Sequence, residues 1–354
     1  MHIPLFKPPI ELEEYILEYY PNRVSYGMNI EEVLKKLKGV NLLSDRNEDF
    51  ALGFVDSGSY ALNKVISGSF NGGYPIGGIT EILGESSTGK TAFLTHAFAN
   101  AQKAGYYTGL LDNEFAYNMR FAGLLGVDSG KLMYDDPETV PQAFKKAEEW
   151  ILGIREHDKE TPIVLGIDSM AGQSDKEEEK KIGEFDNMDG ATRAKEIGQC
   201  LRHINPLLRK NKVCLIVINQ IRSKTGVMYG DASTRSGGGK ALEFYCAVSL
   251  RTLSNKTSDV IKSASDQPLG IKGRIRNQKN KVAIPFQECE FELVYDKGLT
   301  QHYGLSDHIV NSGLLEKSGA WYTIKDTGSK FQGEDKLLDF ILTSDKVKTY
   351  LSQN

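Results

Sequence analysis

An α/β fold with a largely parallel central sheet is what this sequence predicts, and three observations carry the prediction. From about residue 57 onward, helical and strand-like segments alternate. Two of the strand-like runs, PIVLGIDS (162–169) and VCLIVINQ (213–220), are apolar almost without interruption, which is how a strand covered on both faces reads. Between a third run, GITEIL, and a helix stands GESSTGKT (84–91), with the Gly, four residues, Gly-Lys-Thr spacing of a phosphate-binding loop.

Composition narrows the class. The 354 residues, 40% hydrophobic and 25% charged, suffice for one large domain with appendages or for two domains. No run of about eighteen apolar residues is present to cross a membrane. The N-terminal MHIPLFKPPIELEEY lacks the basic region and apolar core of a secretory signal. Cys200, Cys214, Cys246 and Cys289 are too widely spaced for a CxxC zinc or redox motif, and read as reduced, mostly buried thiols of a cytoplasmic protein. A net charge of −4 excludes a general basic field, so nucleic acid would have to be met by charge concentrated locally.

Taken in order, residues 1–45 read as a small N-terminal helical appendage. ELEEYILEYY and NIEEVLKKLKG carry helical spacing, punctuated by Pro8, Pro9, Pro21 and Gly39. Residues 46–300 read as the core. It opens with the helix SYALNKVIS and the turn-rich GSFNGGYPIGG, followed by a strand at 79–83, the phosphate loop, and a helix from Thr91 to about Ala104. YYTGLLD (106–112) reads as a strand and 139–156 as an amphipathic helix. After the buried strand at 162–169 comes a long helix at about 191–210, interrupted by Pro206, and then the second buried strand. Alternation marks 244–252, 271–278 and 289–295 as strands that could extend the sheet. Residues 301–354 read as a small α+β C-terminal unit, and DKEEEKK (175–181) as a solvated surface run.

In a phosphate-binding loop the backbone N–H groups of Gly84, Glu85, Ser86, Ser87, Thr88 and Gly89 point inward at the β- and γ-phosphates, and the following helix presents its positive end. Lys90 neutralises phosphate charge and the Thr91 hydroxyl ligates Mg²⁺. The competing reading is a glycine-rich turn with no ligand. Asp168 ends a buried strand, where an unpaired carboxylate costs several kcal/mol, and Mg²⁺ or its water shell would account for it; alone, it would read as a helix cap. In a parallel sheet the strand C-termini share one edge, so Asp112, Glu114, Asp168, Gln220 and the loop at 84–91 should converge there. Glu114 could orient and deprotonate an attacking water, though a lone acid at this position also reads as a surface charge. The Gln220 amide could sense whether a γ-phosphate is present.

Directly after Gln220 comes IRSKTGVMYGDASTRSGGGKALEFY. Between Asn219 and Lys240, Arg222, Lys224, Arg235 and Lys240 stand against Asp231 alone, a local +3 in an acidic protein. The stretch is too long for an ordinary connection, and it suits backbone-directed binding of single-stranded DNA. A disordered surface loop is the competing reading.

GESSTGKT, LLDNEFA, GIDS and, above all, INQIRSKTGVMYG with SGGGKALEFY resemble the RecA family of recombinases in order and spacing along most of the chain. KNKVAIPFQECEFELVYDKGL (279–299) and EKSGAWY (316–322) resemble the family's downstream segments, while TRAK (192–195) is similar to phage relatives of the UvsX type.

The resemblance implies a RecA-type P-loop ATPase core with a helical appendage that packs on an adjacent subunit, and ATP with Mg²⁺ as ligands. It implies a helical homopolymer on single-stranded DNA that searches double-stranded DNA and exchanges strands in recombination, repair and the SOS response. The compartment would be the cytoplasm of a bacterium, or of one infected by a phage. By the same resemblance Glu114 is the base and Gln220 the switch between γ-phosphate and DNA. Phe121 and Tyr295 flank the adenine, with Asn118 standing where bacterial members carry an adenine-contacting Asp. Lys279 and Lys281 reach the neighbouring subunit's ATP; otherwise they read as solvated strand ends. Arg222, Ser223, Lys224, Thr225, Gly238, Gly239 and Lys240 match the second DNA loop. A first loop falls around 182–195, with Lys195 and Arg202 as phosphate contacts. Two other readings stand beside this one: a ring-forming motor of the same fold, which leaves the basic loop unexplained, and a non-catalytic mediator, which would not need Glu114.

Overall fold

The computed structural model describes residues 51–170, 186–223, 233–235, 239–253 and 259–353. The expected N-terminal helices, the run at 175–181 and most of the second DNA loop, Lys224, Thr225 and Gly238 included, lie outside these. The described strands are β1 (Phe54–Val55), β2 (Tyr74–Pro75), β3 (Gly78–Gly84), β4 (Tyr107–Asp112), β5 (Leu132–Asp135), β6 (Ile163–Asp168), β7 (Val213–Ser223), β8 (Ser233–Arg235), β9 (Val248–Leu253), β10 (Val260–Lys262), β11 (Pro268–Asn280), β12 (Glu288–Val294) and β13 (Gly298–Leu299). Helices α1 (Tyr60–Ser67), α2 (Lys90–Lys103), α3 (Met119–Leu124), α4 (Val140–His157), α5 (Asp186–Lys210) and α6 (Gly239–Tyr245) join them.

The main sheet runs β13-β12-β11-β9-β3-β7-β6-β4-β5, with β10 added to β11 and β8 to β7. From β9 to β5 every pairing is parallel; β10 to β13 and β8 pair antiparallel. The central strands are largely apolar because each feeds two cores; of the buried polar exceptions, Glu81 bonds both Asn219 and Ser249, across β3, β7 and β9. In β7, Cys214, Ile216 and Ile218 face the core shared with α2, while Val213, Leu215 and Val217 face the core shared with α4 and α5. Phe93, Leu94 and Phe98 of α2 are fully buried, each contributing about 2–3 kcal/mol by leaving water. Helix α4 begins at a capping box: Thr139 Oγ1 accepts from the Gln142 N–H, and Gln142 Oε1 accepts from the Thr139 N–H.

Several elements differ from the sequence reading. Strand β7 does not end at Gln220 but runs on to Ser223 and pairs with β8 through Ile221↔Arg235, Arg222↔Thr234 and Ser223↔Ser233. The stretch 244–252 is not all strand, since α6 occupies 239–245 and β9 starts at Val248. Helix α5 begins at Asp186 and continues through Pro206, at the loss of one helical hydrogen bond. The short α3 and the edge strands β5, β10 and β13 are too brief to leave a periodic trace.

Beyond the main sheet, β14 (Leu315–Ser318), β15 (Trp321–Ile324) and β16 (Lys330–Gln332) form an antiparallel meander beside α7 (Ser306–Asn311), α8 (Glu334–Thr343) and α9 (Asp345–Gln353). Tyr322 stacks on Phe331, and Phe331 leans on Phe340, fastening this meander to α8. Among the described residues no helix is long and apolar enough to cross a membrane.

Candidate nucleotide site

Strands β3, β4 and β6 end on the same edge of the sheet, beside Gln220 of β7, a strand that continues beyond that edge. Gly84 lies opposite Gln220, and Asp112 opposite Asp168. Their loops enclose an open cleft of about 320 Å³, lined among others by Ser86, Ser87, Gly89, Lys90, Thr91, Glu114, Phe121, Asp168, Gln220 and Tyr295. Of the sequence reading, Ser86, Ser87, Gly89, Lys90, Thr91, Glu114, Phe121, Asp168, Gln220 and Tyr295 are therefore brought together around one space, while the Glu85 and Thr88 side chains face a neighbouring hollow beside β9.

The loop wraps tightly. Ser87 and Gly89 both have left-handed backbones, at φ 64° and 85°; a side chain tolerates that conformation poorly, and glycine meets it without strain. Lys90 is only 7% exposed, and its Nζ donates to the Glu85 carbonyl at 2.6 Å, so the ammonium is folded into the mouth of the loop. Thr88 points away from the cleft: its hydroxyl donates to the Glu85 carbonyl at 2.9 Å and shares a 2.7 Å bond with Thr252 of β9.

Thr91 Oγ1 donates to Asp168 Oδ2 at 2.8 Å. Burial, with some help from the negative charges of Glu114 and Asp112, pushes the Asp168 carboxyl up to about 7, against the opposing pull of the Thr91 bond and Lys90. A hydroxyl and a carboxylate side by side form the hard oxygen pair that suits Mg²⁺, and a buried acid this reluctant to ionise has much to gain from a cation. The donor set fits the ion.

Glu114 is held from two sides. Its Oε1 accepts from Ser169 Oγ at 2.5 Å and from Gln220 Nε2 at 2.8 Å. Asp112, 2% exposed, shapes the turn that presents it: Oδ1 accepts from the Glu114 N–H, and Oδ2 from the Tyr117 N–H. Neither Ser169 nor this turn-building role of Asp112 was singled out in the sequence. A serine next to an acid carries no signal of its own; only the parallel register of β4 against β6 sets it against Glu114.

Other candidates fall elsewhere. Asn118 caps α3, its Oδ1 accepting from the Phe121 N–H at 2.9 Å. Lys279 Nζ donates to the carbonyls of Glu243 and Phe244 at 2.5 and 2.8 Å, and Lys281 Nζ to Phe244 at 3.4 Å, so within one chain both lysines sit at the C-terminal end of α6. Arg222 and Ser223 lie on the β7–β8 stem and Gly239 opens α6. Lys195, Arg202 and Lys240 are exposed; the Arg202 Nε donates to the Tyr245 hydroxyl at 3.4 Å.

Comparisons with known proteins point one way. The family model for the RecA N-terminal domain matches residues 27–300. The chain is similar to Protein RecA of a Nocardioides species, 37% identical over 272 residues, 77% of this chain and 73% of that protein. It is also similar to Protein RecA of Heliobacterium modesticaldum, 36% identical over 81% of this chain and 78% of the relative. Protein RecA of Phytoplasma mali is 31% identical over 92% of this chain and 91% of its own length.

Proposed function

Because the chain belongs to the RecA family, and is thereby an ATP-dependent DNA recombinase with DNA-dependent ATPase activity, we propose that its 84–91 cleft is the ATPase centre and that Gln220 couples this centre to DNA. The observation that carries the reading is the 2.8 Å bond from Gln220 to Glu114. It joins the acid best placed to act on water to the strand that climbs directly into the basic stretch.

In this reading the 84–89 backbone cradles the β- and γ-phosphates of ATP. Lys90 exchanges the Glu85 carbonyl for a phosphate oxygen, gaining a charge-assisted bond. Thr91 and Asp168 would hold Mg²⁺, which supplies charge neutralisation for the phosphates when bound. Glu114 accepts a proton from the water that attacks the γ-phosphorus, while ADP leaves opposite. Ser169 and Gln220 both bind Oε1 and so aim Oε2 at that water. A γ-phosphate offers the second N–H of the Gln220 amide a charged partner beside Glu114, and the amide moves with β7. Phe121 and Tyr295 flank the base. Lys279 and Lys281 extend to the ATP of a neighbouring subunit in a helical filament, and Arg222, Ser223, Lys224, Thr225, Gly238, Gly239 and Lys240 grip single-stranded DNA. Lys195 and Arg202 supply further phosphate contacts, and double-stranded DNA enters as the exchange partner.

ATP turnover measured with and without single-stranded DNA, alongside electron microscopy, tests this. Strong stimulation and helical filaments are expected; rings or DNA-independent turnover would sink it. Glu114→Gln keeps the Oε1 acceptor but removes the base. It should lower turnover by about 10²–10⁴-fold with ATP still bound and filaments persistent.

A further inference from the structure

Beyond the residues that touch the nucleotide, α2 carries a histidine with a defined task. His96 lies six residues after Lys90 on the helix that starts at the phosphate loop. Its Nε2 accepts a 2.8 Å hydrogen bond from the backbone N–H of Leu299 in β13. That strand is the outermost of the main sheet and only two residues long, paired with β12 through Leu293↔Leu299 and Val294↔Gly298. Besides these two pairs, Thr300 bonds Glu292 through its N–H and hydroxyl, and all of these contacts run back to β12, so a tie to a different element matters.

The tie is tight. Gly298 has φ +83°, and a Cβ there would lie 2.2 Å from His96 Nε2, so the backbone of the turn presses against the ring. On the opposite side, Nδ1 faces Gly58, where an added Cβ would approach it to 3.2 Å. Burial, reinforced by the charge of Lys103 and opposed by Asp56, pushes His96 down to about 4. The ring is therefore neutral near pH 7 and keeps a lone pair on Nε2 for Leu299.

What the tie secures is the three-residue turn between β12 and β13, which begins with Tyr295. The Tyr295 N–H donates to the Leu269 carbonyl at 2.8 Å, and its half-exposed ring lines the nucleotide cleft. The phosphate cradle and this ring belong to elements distant in sequence, and His96 bonds one to the other.

We propose that His96 is a positioning residue for the nucleotide base: by fastening the Tyr295 turn to the phosphate-loop helix, it fixes the distance between the ring that receives the base and the cradle that receives the phosphates. The proposal rests on the reading that Tyr295 flanks the base. Its consequence is selective. Loss of the tie weakens ligands that have both a base and phosphates, and leaves untouched a ligand that has phosphates alone.

Two variants separate the bond from the bulk. His96→Leu fills the space but cannot accept; His96→Gln retains an acceptor. The full-length protein is assayed for ATP KM and kcat, for inhibition by inorganic tripolyphosphate, and for hydrogen exchange at the Leu299 amide. His96→Leu should raise the ATP KM about tenfold with kcat and tripolyphosphate inhibition unchanged. It should also speed Leu299 exchange, and His96→Gln should restore both values. Unchanged exchange in His96→Leu would overturn the tie. Equal weakening of ATP and tripolyphosphate would overturn the positioning role, since that is what a damaged helix produces. Tyr295→Ala distinguishes the underlying reading: if it leaves the ATP KM unchanged, the base site is elsewhere. If Tyr295→Ala weakens ATP while His96→Leu does not, the proposal itself falls.

Discussion

Asp168 and His96 respond to burial in opposite directions, and each ties the protein's stability to pH. Burial holds the Asp168 carboxyl at about 7, well above its unfolded value of 3.8, so the folded state keeps a proton that the unfolded chain has released. The stability this contributes is present below pH 4 and is lost as the pH rises through 7. His96 sits at about 4 against an unfolded 6.5. Its contribution is present above pH 6.5 and is lost as the pH falls toward 4. Each effect is on the order of a few kcal/mol, and over pH 4–6.5 they oppose each other. Asp168→Asn should therefore raise nucleotide-free stability at pH 7.5 by roughly 1–3 kcal/mol and abolish ATP hydrolysis. It should also unmask a stability that climbs with pH between 4 and 6.5, visible as a urea midpoint measured across that range. A flat profile in that variant would show that His96 is not held neutral.

At the scale of elements, one buried side chain fixes how two helices hand over to the parallel sheet. The Arg155 guanidinium donates to the carbonyls of Asp158, Thr161 and Asn211 at 2.8, 2.7 and 2.6 Å, joining the turns that follow α4 and α5. A planar fork can do this and an ammonium cannot. Arg155→Lys should lower stability by about 2–3 kcal/mol in urea unfolding while leaving ATP affinity unchanged. The buried strands β3, β6 and β7 and the phosphate loop were legible in the sequence, because full burial on two faces and a left-handed glycine both dictate residue type. The β7–β8 stem was not: I-R-S and S-T-R carry neither an apolar run nor a turn signature, and long-range pairing alone makes them strands. Likewise EFY alternates well enough to pass for strand, yet it ends α6, whose last carbonyls receive Lys279 from β11 and Lys281 from just beyond it. The convergence of Glu114, Asp168 and Gln220 followed from the parallel edge. Ser169 and His96 did not, since their roles depend on which backbone happens to lie across from them.

For the molecule as a whole, the basic stretch after Gln220 rises on a paired stem, so a shift at Gln220 would be carried toward it by a continuous strand. If that stretch grips DNA through phosphates, Arg222→Ala with Lys224→Ala should lower the slope of log affinity against log salt for single-stranded DNA by about 1.4, roughly 0.7 for each phosphate left without its cation. An unchanged slope would put the DNA on another surface. The far end of the stretch leads into α6, and there the lysine pair has a consequence at the level of the population. In an isolated subunit Lys279 and Lys281 already serve a helix terminus, an arrangement worth about 1 kcal/mol each. If they reach a neighbour's nucleotide, as proposed above, that engagement must be given up, so lone subunits and short runs would gain less than long ones. Self-service of this kind would then work as a threshold: it would discourage stray assembly in free solution and reward growth only where nucleotide and DNA supply the difference.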